Sequence, residues 1–299
     1  MHVLITGACG MIARSLIPRL EKNHQVRLLD RVPPEQATMF TPGSGERRAT
    51  PLVTKLPFIV GDQLDEAVIA KAVTGVDAVI HLAAAVSGDP KFGVETFRSN
   101  AVGTYILADA CRKAGTKRLL VASSINAFGC FYWRQSGRPP VHTQMPLDET
   151  YPTCVEDPYS LSKLVNEETL ATFHRGFGLT TAAFRFAGVF SEEHYRNTRA
   201  NLKPTTAWAD DLWQWVHVED VAQGLTQALE APSLPGFGVY ALGAADTTRP
   251  EPTLELLQRF RPDLARNLKE PLPGRAPLLS IRKAAETFGY QPKYRIIDA

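Results

Sequence analysis

A tyrosine and a lysine four positions apart, Tyr159 and Lys163 in the run YSLSK, carry the clearest chemical signal in this chain. On a helix this spacing places both side chains on one face, about one turn apart. An ammonium group beside a phenol stabilises the phenolate and lowers its pKa from about 10 toward neutral pH. We therefore interpret the pair as an acid–base device that could exchange a proton with a hydroxyl or carbonyl group.

Two serines, Ser123 and Ser124, follow the apolar run from Lys117 to Ala122, which has the length of a strand. A hydroxyl group at the end of that strand could hydrogen-bond the same substrate oxygen that Tyr159 protonates. The Y-x-x-x-K spacing alone is common, and most instances lie on surface helices. The interpretation therefore depends on what the rest of the chain places beside these residues.

The first thirty residues contain a glycine pattern that is typical of dinucleotide binding. The apolar run His2–Thr6 precedes Gly7, Gly10 and Ala13, an amphipathic helical stretch follows, and a second apolar run ends at Asp30. Glycines let the backbone approach a pyrophosphate, and the helix N-terminus offers unpaired N–H groups and partial positive charge. An acid about twenty residues after the turn can bind the ribose hydroxyls. The alternative is a strand–turn–helix whose glycines are only structural.

The residues around Asp30 favour NAD and do not exclude NADP. The carboxylate of Asp30 would repel a 2′-phosphate, whereas Arg31 could reach one, as could Arg47 and Arg48. Asp62 follows a short apolar run and could hydrogen-bond an adenine amino group. Capping the helix that follows is an equal alternative for this carboxylate.

Strand-like and helix-like segments alternate along the chain, which predicts an α/β fold: a doubly wound parallel sheet of the Rossmann type. A proline-rich stretch from Val32 to Pro57 is predicted as a long connection, and small residues at 83–85 leave room for a ligand at a strand end. The predicted strands are His2–Thr6, Gln25–Leu29, Phe58–Val60, Ala78–Leu82, Lys117–Ala122, Thr180–Phe186 and Phe237–Leu242. Beyond the first helix, the predicted helices are Leu64–Val73, Phe92–Ala114, Pro158–Phe177, Val218–Leu229, Pro252–Phe260 and Ser280–Phe288.

Composition argues against several classes of function. The chain has 33 Lys+Arg and 31 Asp+Glu, a net charge of +2, which gives no electrostatic reason to expect nucleic acid or an acidic membrane as a partner. No apolar run reaches the roughly 18 residues of a membrane span. The four cysteines lie far apart without a C-x-x-C pair, as expected of free thiols in a cytoplasmic protein. Histidines and acids show no metal-ligand spacing, so we expect no metal.

Together the motifs resemble those of the extended short-chain dehydrogenases/reductases, the NAD-dependent epimerase/dehydratase family, over essentially the whole chain. The matches are the glycine motif at Gly7, Gly10 and Ala13, the acid Asp62, the N-x-x-G-T motif at 100–104 and the H-V-x-D-V-A motif at 217–222. The resemblance implies a small C-terminal substrate lobe interleaved with the sheet. We accordingly predict an NAD(P)-binding domain over residues 1–186 and a substrate lobe over 187–299, in which His217 to Leu229 and Phe237 to Leu242 return to the sheet.

The resemblance also implies a catalytic triad of Ser124, Tyr159 and Lys163, in which Lys163 additionally holds the nicotinamide ribose. Ser124 is chosen over Ser123 because members of the family place the hydroxyl five residues before the glycine of an aromatic–glycine pair, here Phe128-Gly129. Contacts with the cofactor are implied for Gly7, Gly10, Met11, Ile12, Asp30, Arg31, Asp62, Leu64, Leu82, Ala83, Ala84, Asn100, Ala122, Tyr159, Lys163 and Phe186.

Departures from the family narrow the expected reaction. Nucleotide-sugar dehydratases carry an Asp-Glu pair directly after the triad hydroxyl, where this chain has Ile125-Asn126, and many relatives carry Asn where it has Gly188. Only about thirty residues separate Arg185 from His217, fewer than in nucleotide-sugar enzymes. The short lobe is similar to that of uronate dehydrogenases and implies a compact substrate, such as a free sugar or a sugar acid.

By that likeness Ser87, Asn126 and Arg185 are candidate substrate contacts in addition to Ser124. Each has a structural alternative: Ser87 as a loop residue, Asn126 as a turn cap and Arg185 as a member of an ion pair. We expect hydride transfer between nicotinamide and a secondary hydroxyl or carbonyl group of a small sugar or sugar acid. The alternatives are an NAD-dependent sugar epimerase and a non-catalytic NAD(P)-binding sensor. The resemblance further implies a homodimer through helices near 92–114 and 158–177.

Overall fold

The protein is described by a computed structural model over residues 1–40 and 46–298. Its strands are β1 (His2–Thr6), β2 (Gln25–Asp30), β3 (Thr38–Phe40), β4 (Arg47–Ala49), β5 (Phe58–Val60), β6 (Ala78–His81), β7 (Arg118–Ala122), β8 (Thr180–Phe186), β9 (Val189–Phe190), β10 (Val216–His217) and β11 (Phe237–Leu242). Its helices are α1 (Met11–Leu20), α2 (Glu66–Val73), α3 (Gly93–Phe97), α4 (Gly103–Ala114), α5 (Pro158–Phe177), α6 (Glu192–Ala200), α7 (Val218–Glu230), α8 (Thr253–Phe260), α9 (Pro262–Ala265) and α10 (Arg282–Phe288).

Seven of these strands form one parallel sheet in the order β5-β2-β1-β6-β7-β8-β11. The chain moves outward from β1 to one edge and then, beginning with β6, outward to the other edge. The predicted doubly wound Rossmann fold is therefore confirmed. The change of direction lies between β1 and β6, where a parallel sheet of this kind opens a crevice at the carboxyl ends of its strands.

Alternating side chains of the strands build a core on each face of the sheet, as period-2 patterning requires. On one face, Val3 and Ile5 of β1 belong to a buried cluster that also contains Leu16 of α1 and Val221 of α7. On the other face, Leu4 belongs to a second cluster that includes residues of α2, α4 and α5. The helices that carry the predicted site residues are thereby fixed against the sheet.

The predicted helix from Phe92 to Ala114 is not uniform. A 3₁₀ turn precedes α3, and a π-helical segment, Arg98–Val102, joins α3 to α4. A π segment inserts one residue into the helical register and turns side chains toward a new direction, which is a frequent feature of functional sites. Here Asn100 lies in that segment and is buried.

The predicted connection from Val32 to Pro57 contains structure that its composition did not indicate. Strands β3 and β4 pair antiparallel within it as a small separate sheet. Residues 41–45 of this connection, including Pro42, lie outside the described residues. Short strands of this kind follow from their mutual pairing and carry almost no periodic signal of their own.

No helix in the described ranges combines the length and apolar character that crossing a bilayer would require.

Candidate active site

The glycine turn after β1 brings the backbone against the end of β6. Gly7 has φ +69°, and a Cβ atom there would lie 2.7–2.9 Å from the backbone of Leu82 and Ala83. Only glycine fits both the left-handed backbone and this close approach. Gly10 is the N-cap of α1, and its N–H donates to Gly7 O at 3.0 Å. The turn is therefore a cradle of the type that admits a pyrophosphate.

Helix α1 begins directly after this turn, at Met11 and Ile12. Their N–H groups belong to the first turn of the helix, so no earlier helical carbonyl can accept from them. Neither side chain lines the cleft beside the turn. The predicted contribution of these two residues to cofactor binding therefore concerns their backbone N–H groups and the positive end of the helix.

Asp30, at the end of β2, is held by backbone donors on both carboxylate oxygens. Cys9 N donates to Oδ2 at 2.9 Å, and Val32 N donates to Oδ1 at 3.0 Å. These bonds fix the carboxylate beside the glycine turn and leave each oxygen with further acceptor capacity. Asp30 and Arg31 both line the same cleft, as the ribose-binding prediction requires.

Asp62 does not cap helix α2, which was the alternative to its predicted contact with adenine. The N-cap of α2 is Asp65, whose carboxylate accepts from Ala67 N and Val68 N. Asp62 closes the preceding turn, where its Oδ1 accepts from Leu64 N at 2.8 Å. The prediction that Asp62 caps the helix is therefore wrong, and its exposed carboxylate lies at the cleft.

A cleft of about 230 Å³ runs along the carboxyl ends of β1, β2 and β6. The predicted cofactor contacts that line it are Gly7, Gly10, Asp30, Arg31, Asp62, Leu82, Ala83 and Ala84. The remaining lining residues are Cys9, Leu29, Val32, Ala37, Thr38, Arg47, Gly61, Gln63, Ala85 and Ser99. Of these, Arg47 was predicted as a residue that could reach a 2′-phosphate, and the others were not predicted as cofactor contacts. Most are sequence neighbours of predicted residues, but Thr38 and Arg47 reach the cleft from the β3–β4 pair, which left no sequence signal.

Asn100 braces the loop beyond β6. Its Oδ1 accepts from Ala85 N at 2.8 Å, and its Nδ2 donates to Ala85 O at 2.9 Å and to Ser162 Oγ at 3.0 Å. Both amide hydrogens are thus used within the chain. Rather than donating to a cofactor as predicted, Asn100 ties the loop that lines the cleft to helix α5.

Phe186 and Leu64 also differ from the predicted contacts. Phe186 is buried in the main core and stacks on Phe184 with ring centroids 6.4 Å apart. Leu64 lies outside the cleft and serves through its backbone N–H to Asp62. A strand end indicates which residues lie near the cleft, but the alternation of side chains along the strand decides which of them turn into the core.

The predicted triad residues come together at the carboxyl end of β7. Asp157 caps α5 and starts it directly before Tyr159, and Lys163 lies one turn further along the same buried face. Lys163 Nζ donates to Ala122 O at 2.7 Å and lies 5.5 Å from the centre of the Tyr159 ring. Ala122, which was predicted as a cofactor contact, holds the ammonium group through its carbonyl.

Burial dominates the titration of both groups. Burial raises the pKa of Tyr159 to about 12, and a hydrogen bond with the Ser124 hydroxyl partly opposes this by lowering the pKa. Burial lowers the pKa of Lys163 to about 8, against the charge of Glu167, which raises it. The predicted lowering of the tyrosine pKa by lysine is thus absent from the protein alone. A phenolate here needs further positive charge close to the ring.

The two serines after β7 point to different partners. Ser124 engages the Tyr159 phenol and accepts from Asn126 N at 3.2 Å. Ser123 is buried and donates to Glu167 Oε1 at 2.6 Å. Ser124 is therefore the serine that contacts the Tyr159 phenol, as the spacing to Gly129 predicts.

Arg185 is a member of a buried ion pair, the structural alternative to the predicted substrate contact, and its Nη1 has no hydrogen-bond partner among the described residues. Its Nε and Nη2 donate to the two carboxylate oxygens of Glu167 at 2.9 and 2.8 Å, and both side chains are buried. Its guanidinium also lies 4.3 Å from the centre of the Phe128 ring. The pair supports α5 from below the triad, one turn beyond Lys163.

The other two substrate candidates have different surroundings. Asn126 is buried, and its Oδ1 has no hydrogen-bond partner in the described chain, so a ligand donor would complete it. Ser87 accepts from Asp89 N at 3.3 Å within a loop and lines neither of the two clefts. The loop alternative therefore describes Ser87 better than substrate contact does.

Trp133 covers the triad from the loop after β7. Its ring meets that of Tyr159 edge to face, with centroids 5.3 Å apart, and occupies the space that a Cβ atom on Gly88 would need. Its φ of +59° is uncommon for a bulky residue and marks a conformation imposed by packing. The neighbouring Tyr132 lines a second cleft beyond the triad.

This second cleft encloses about 430 Å³ at the carboxyl end of β8. Its walls are Tyr132, Gly188, Phe190, His194, Asn197, Thr198, Asn201, Leu202, Lys203, Asp211, Gln214, Thr248 and Arg249. Helix α6 and the segment around Gln214 were not predicted from sequence. Parallel α/β sheets bind ligands at this edge, so the cleft lies where a substrate is expected.

A dinucleotide cradle at the switch point and a Ser–Tyr–Lys group at the neighbouring strand end define an oxidoreductase of the extended short-chain type. The chain belongs to the NAD dependent epimerase/dehydratase family, which it matches over residues 3–243.

Individual relatives agree with this assignment. The chain is 28% identical over 245 residues to a uronate dehydrogenase of Pseudomonas putida, covering 82% of this chain and 76% of the relative. It is similar to Thermus thermophilus UDP-glucose 4-epimerase in complex with NAD, at 26% identity and TM-score 0.63, covering 98% and 94% of the two chains. It is also similar to MoeE5 in complex with UDP-glucuronic acid and NAD, at 25% identity and TM-score 0.68, covering 99% and 95%. The predicted family, fold class, enzyme class and NAD cofactor are confirmed.

Proposed function

We propose that this protein is an NAD-dependent dehydrogenase that oxidises a secondary hydroxyl of a small sugar or sugar acid, and that it also catalyses the reverse reduction. The observation that carries the proposal is the meeting of the Ser124 hydroxyl, the Tyr159 phenol and the Lys163 ammonium beside the dinucleotide cleft. The cleft itself fits NAD, because the glycine turn and the N-terminus of α1 can receive a pyrophosphate and Asp30 lines the cleft where ribose hydroxyls would bind.

Bound NAD would supply the hydride acceptor and a positive charge beside the phenol. Ser124 then donates a hydrogen bond to the substrate oxygen and orients the carbon that loses hydride. Tyr159 takes the hydroxyl proton, and Lys163 favours the phenolate through its charge. Trp133 over the Tyr159 ring excludes water from this exchange.

The second cleft and the short segment from Val189 to Val216 support a compact substrate. We assign residues 1–186 to cofactor binding and residues 187–299 to a substrate lobe, with β11 and α7 completing the sheet and its covering layer. Ile125-Asn126 at the place of a dehydratase acid pair argues against elimination of water. An epimerase remains the second candidate, because relatives include a UDP-glucose 4-epimerase.

The experiment is a screen of free hexoses, pentoses and uronic acids with NAD, followed at the absorbance of NADH. A dehydrogenase accumulates NADH in proportion to substrate consumed, whereas an epimerase interconverts sugars with none. The Tyr159→Phe variant should bind NAD normally and lose turnover by about 10²- to 10⁴-fold, the usual contribution of a positioned acid–base group. Unchanged function in this variant would favour a non-catalytic sensor.

We further propose a homodimer in the cytoplasm. Exposed apolar side chains on the two predicted interface helices support the dimer: Val94, Val102, Tyr105 and Leu161. All four cysteines are free thiols, and three of them are buried, as suits a reducing compartment.

A further inference from the structure

The second cleft contains two buried donors that the chain leaves without acceptors. Gln214 is 4% exposed, and its Oε1 accepts from Gly188 N at 3.2 Å, but its Nε2 has no partner among the described residues. Arg249 Nε is likewise buried without a partner there. Buried donors are rarely left unpaired, because each costs about 1–3 kcal/mol. Both side chains line the same cavity, which points to a ligand rich in acceptors.

Hydrogen bonds from Arg275 fix the backbone at Arg249. Arg275 donates from Nε to Arg249 O at 2.7 Å and from Nη2 to Thr247 O at 2.7 Å, and it pairs with Asp246 at 3.1 Å. Arg275 therefore uses these donors within the chain and stabilises the backbone that carries Arg249. The arginine that faces the cavity is Arg249, and no carboxylate of the described chain lies within ion-pair distance of it.

The charges around the cavity set the kind of anion that fits. Lys203 and Arg249 are cationic, and Asp211 supplies one negative charge while its Oδ1 accepts from Trp213 N at 2.9 Å. Burial lowers the pKa of His194, so this ring is neutral near pH 7. The lining charge is thus about +1, which suits a single carboxylate, whereas Asp211 would oppose the second charge of a phosphate monoester.

The cavity is close enough to the triad to hold one end of a hexose-sized molecule. Tyr132 lines it, and the next residue, Trp133, packs directly on Tyr159. Its volume of about 430 Å³ is near the lower end of the range of about 300–1,000 Å³ for small-ligand sites. The orphaned Asn126 Oδ1 lies on the triad side and could accept from a sugar hydroxyl.

We propose that the substrate is a sugar acid whose carboxylate binds Arg249 Nε and Gln214 Nε2, while its reacting hydroxyl lies at Ser124 and Tyr159. Arg249 and Gln214 are then the residues that determine specificity for acid over neutral sugar. The inference rests on the proposed dehydrogenase function and names its substrate class.

The test compares hexuronates, the matching hexoses and the matching hexose 6-phosphates as substrates of the wild-type enzyme and of Arg249→Met and Gln214→Leu. Wild type should prefer the hexuronate. Arg249→Met should lower kcat/KM for the hexuronate by about 10- to 100-fold, the value of a charge-assisted hydrogen bond, mainly through KM. Its kcat/KM for the hexose should change by less than about 2-fold. Gln214→Leu should act in the same direction but more weakly.

Controls separate the subsite from the fold and from the reaction. Arg266→Met removes an exposed arginine elsewhere and should leave all rates unchanged. Arg249→Lys keeps the charge and should recover part of the loss, and circular dichroism reports whether each variant folds. No turnover of any sugar would overturn the proposed function. Turnover in which hexose or hexose phosphate equals hexuronate, or in which Arg249→Met affects all three alike, would overturn this inference alone.

Discussion

Lys163 carries its charge in a buried position. The residue is 3% exposed, and burial lowers its pKa from 10.5 to about 8. The neighbouring charged and titratable groups are Glu167, which raises this pKa, the buried His81, and Tyr159. Since folding lowers a lysine pKa here, the folded state is penalised wherever the amine must carry a proton.

We expect Lys163→Met to stabilise the protein while abolishing turnover. The penalty is complete below pH 8, declines between pH 8 and 10.5, and is gone above that range. At pH 7 it is about 3.5 kcal/mol at about 1.4 kcal/mol per pKa unit. Losing the bond to Ala122 O offsets about 1 kcal/mol of this gain. Urea unfolding should therefore show a gain of about 2.5 kcal/mol at pH 7 that shrinks by pH 10.

An exposed lysine provides the matched control. Lys22→Met should change the unfolding free energy by less than about 0.5 kcal/mol at either pH, as surface substitutions usually do. A Lys163→Met variant that is less stable than wild type at pH 7 would contradict the assignment of a buried, destabilised ammonium.

Sequence spacing identified the triad, but it could not decide between roles that depend on burial. Ser123 and Ser124 contact different partners because the chain turns after β7. Ser124 caps that turn, whereas Ser123 donates to Glu167. Arg185 looks the same in sequence whether it binds substrate or Glu167. Glu167, whose carboxylate pairs with Arg185, lies one helical turn beyond Lys163. This ion pair forms only because α5 packs on β8.

At the scale of elements, the turn between β1 and α1 packs against the end of β6, and Gly7 makes this close approach possible. We expect Gly7→Ala to destabilise the protein by about 2 kcal/mol or more, because it forces a left-handed residue and a clash with the end of β6. NAD should then no longer raise the melting temperature. Gly10→Ala is the matched comparison, with φ −74° and only Gly7 O, at 3.1 Å, near the new Cβ.

For Gly10→Ala we expect a loss of under about 1 kcal/mol together with weaker NAD binding, since the methyl group faces the cleft. Thermal unfolding of both variants with and without NAD separates the two effects. Equal stability losses in the two variants would show that close approach at Gly7 is not what fixes this turn.

The strands of the main sheet were predictable because they are short apolar runs, most of them with largely buried side chains, and such runs can be recognised without knowing their partners. Helix α5 was predicted with its observed bounds, since Asp157-Pro158 starts it and Gly178 ends it. Elements that depend on distant contacts gave no such signal. The β3–β4 pair, α6 and the π segment at Asn100 arise from pairing and packing, and all three contribute residues to the clefts.

At the scale of the whole molecule, the helices that carry the triad residues also present apolar side chains to solvent. Helices α3, α4 and α5 carry exposed apolar side chains on the side away from the sheet, among them Val94, Tyr105 and Leu161. The π segment between α3 and α4 holds Asn100, and α5 holds Tyr159 and Lys163, all three of them buried. A second copy packed on this surface would therefore stiffen the elements that position the triad and the cofactor loop.

We expect the protein to elute at twice the mass of one chain, and the double variant Val94→Glu/Leu161→Glu to elute as a monomer, because charges buried at an interface are costly without partners.

Val53→Glu is the matched control: Val53 is 95% and Val94 85% exposed, but Val53 lies far from these helices in sequence, between β4 and β5. Light scattering after gel filtration measures the mass, and NADH formation measures activity. A dimer that survives the double substitution, or one that Val53→Glu dissociates, would place the interface elsewhere. Monomers with reduced affinity for NAD would show that the contact between copies supports α5 and the Asn100 brace.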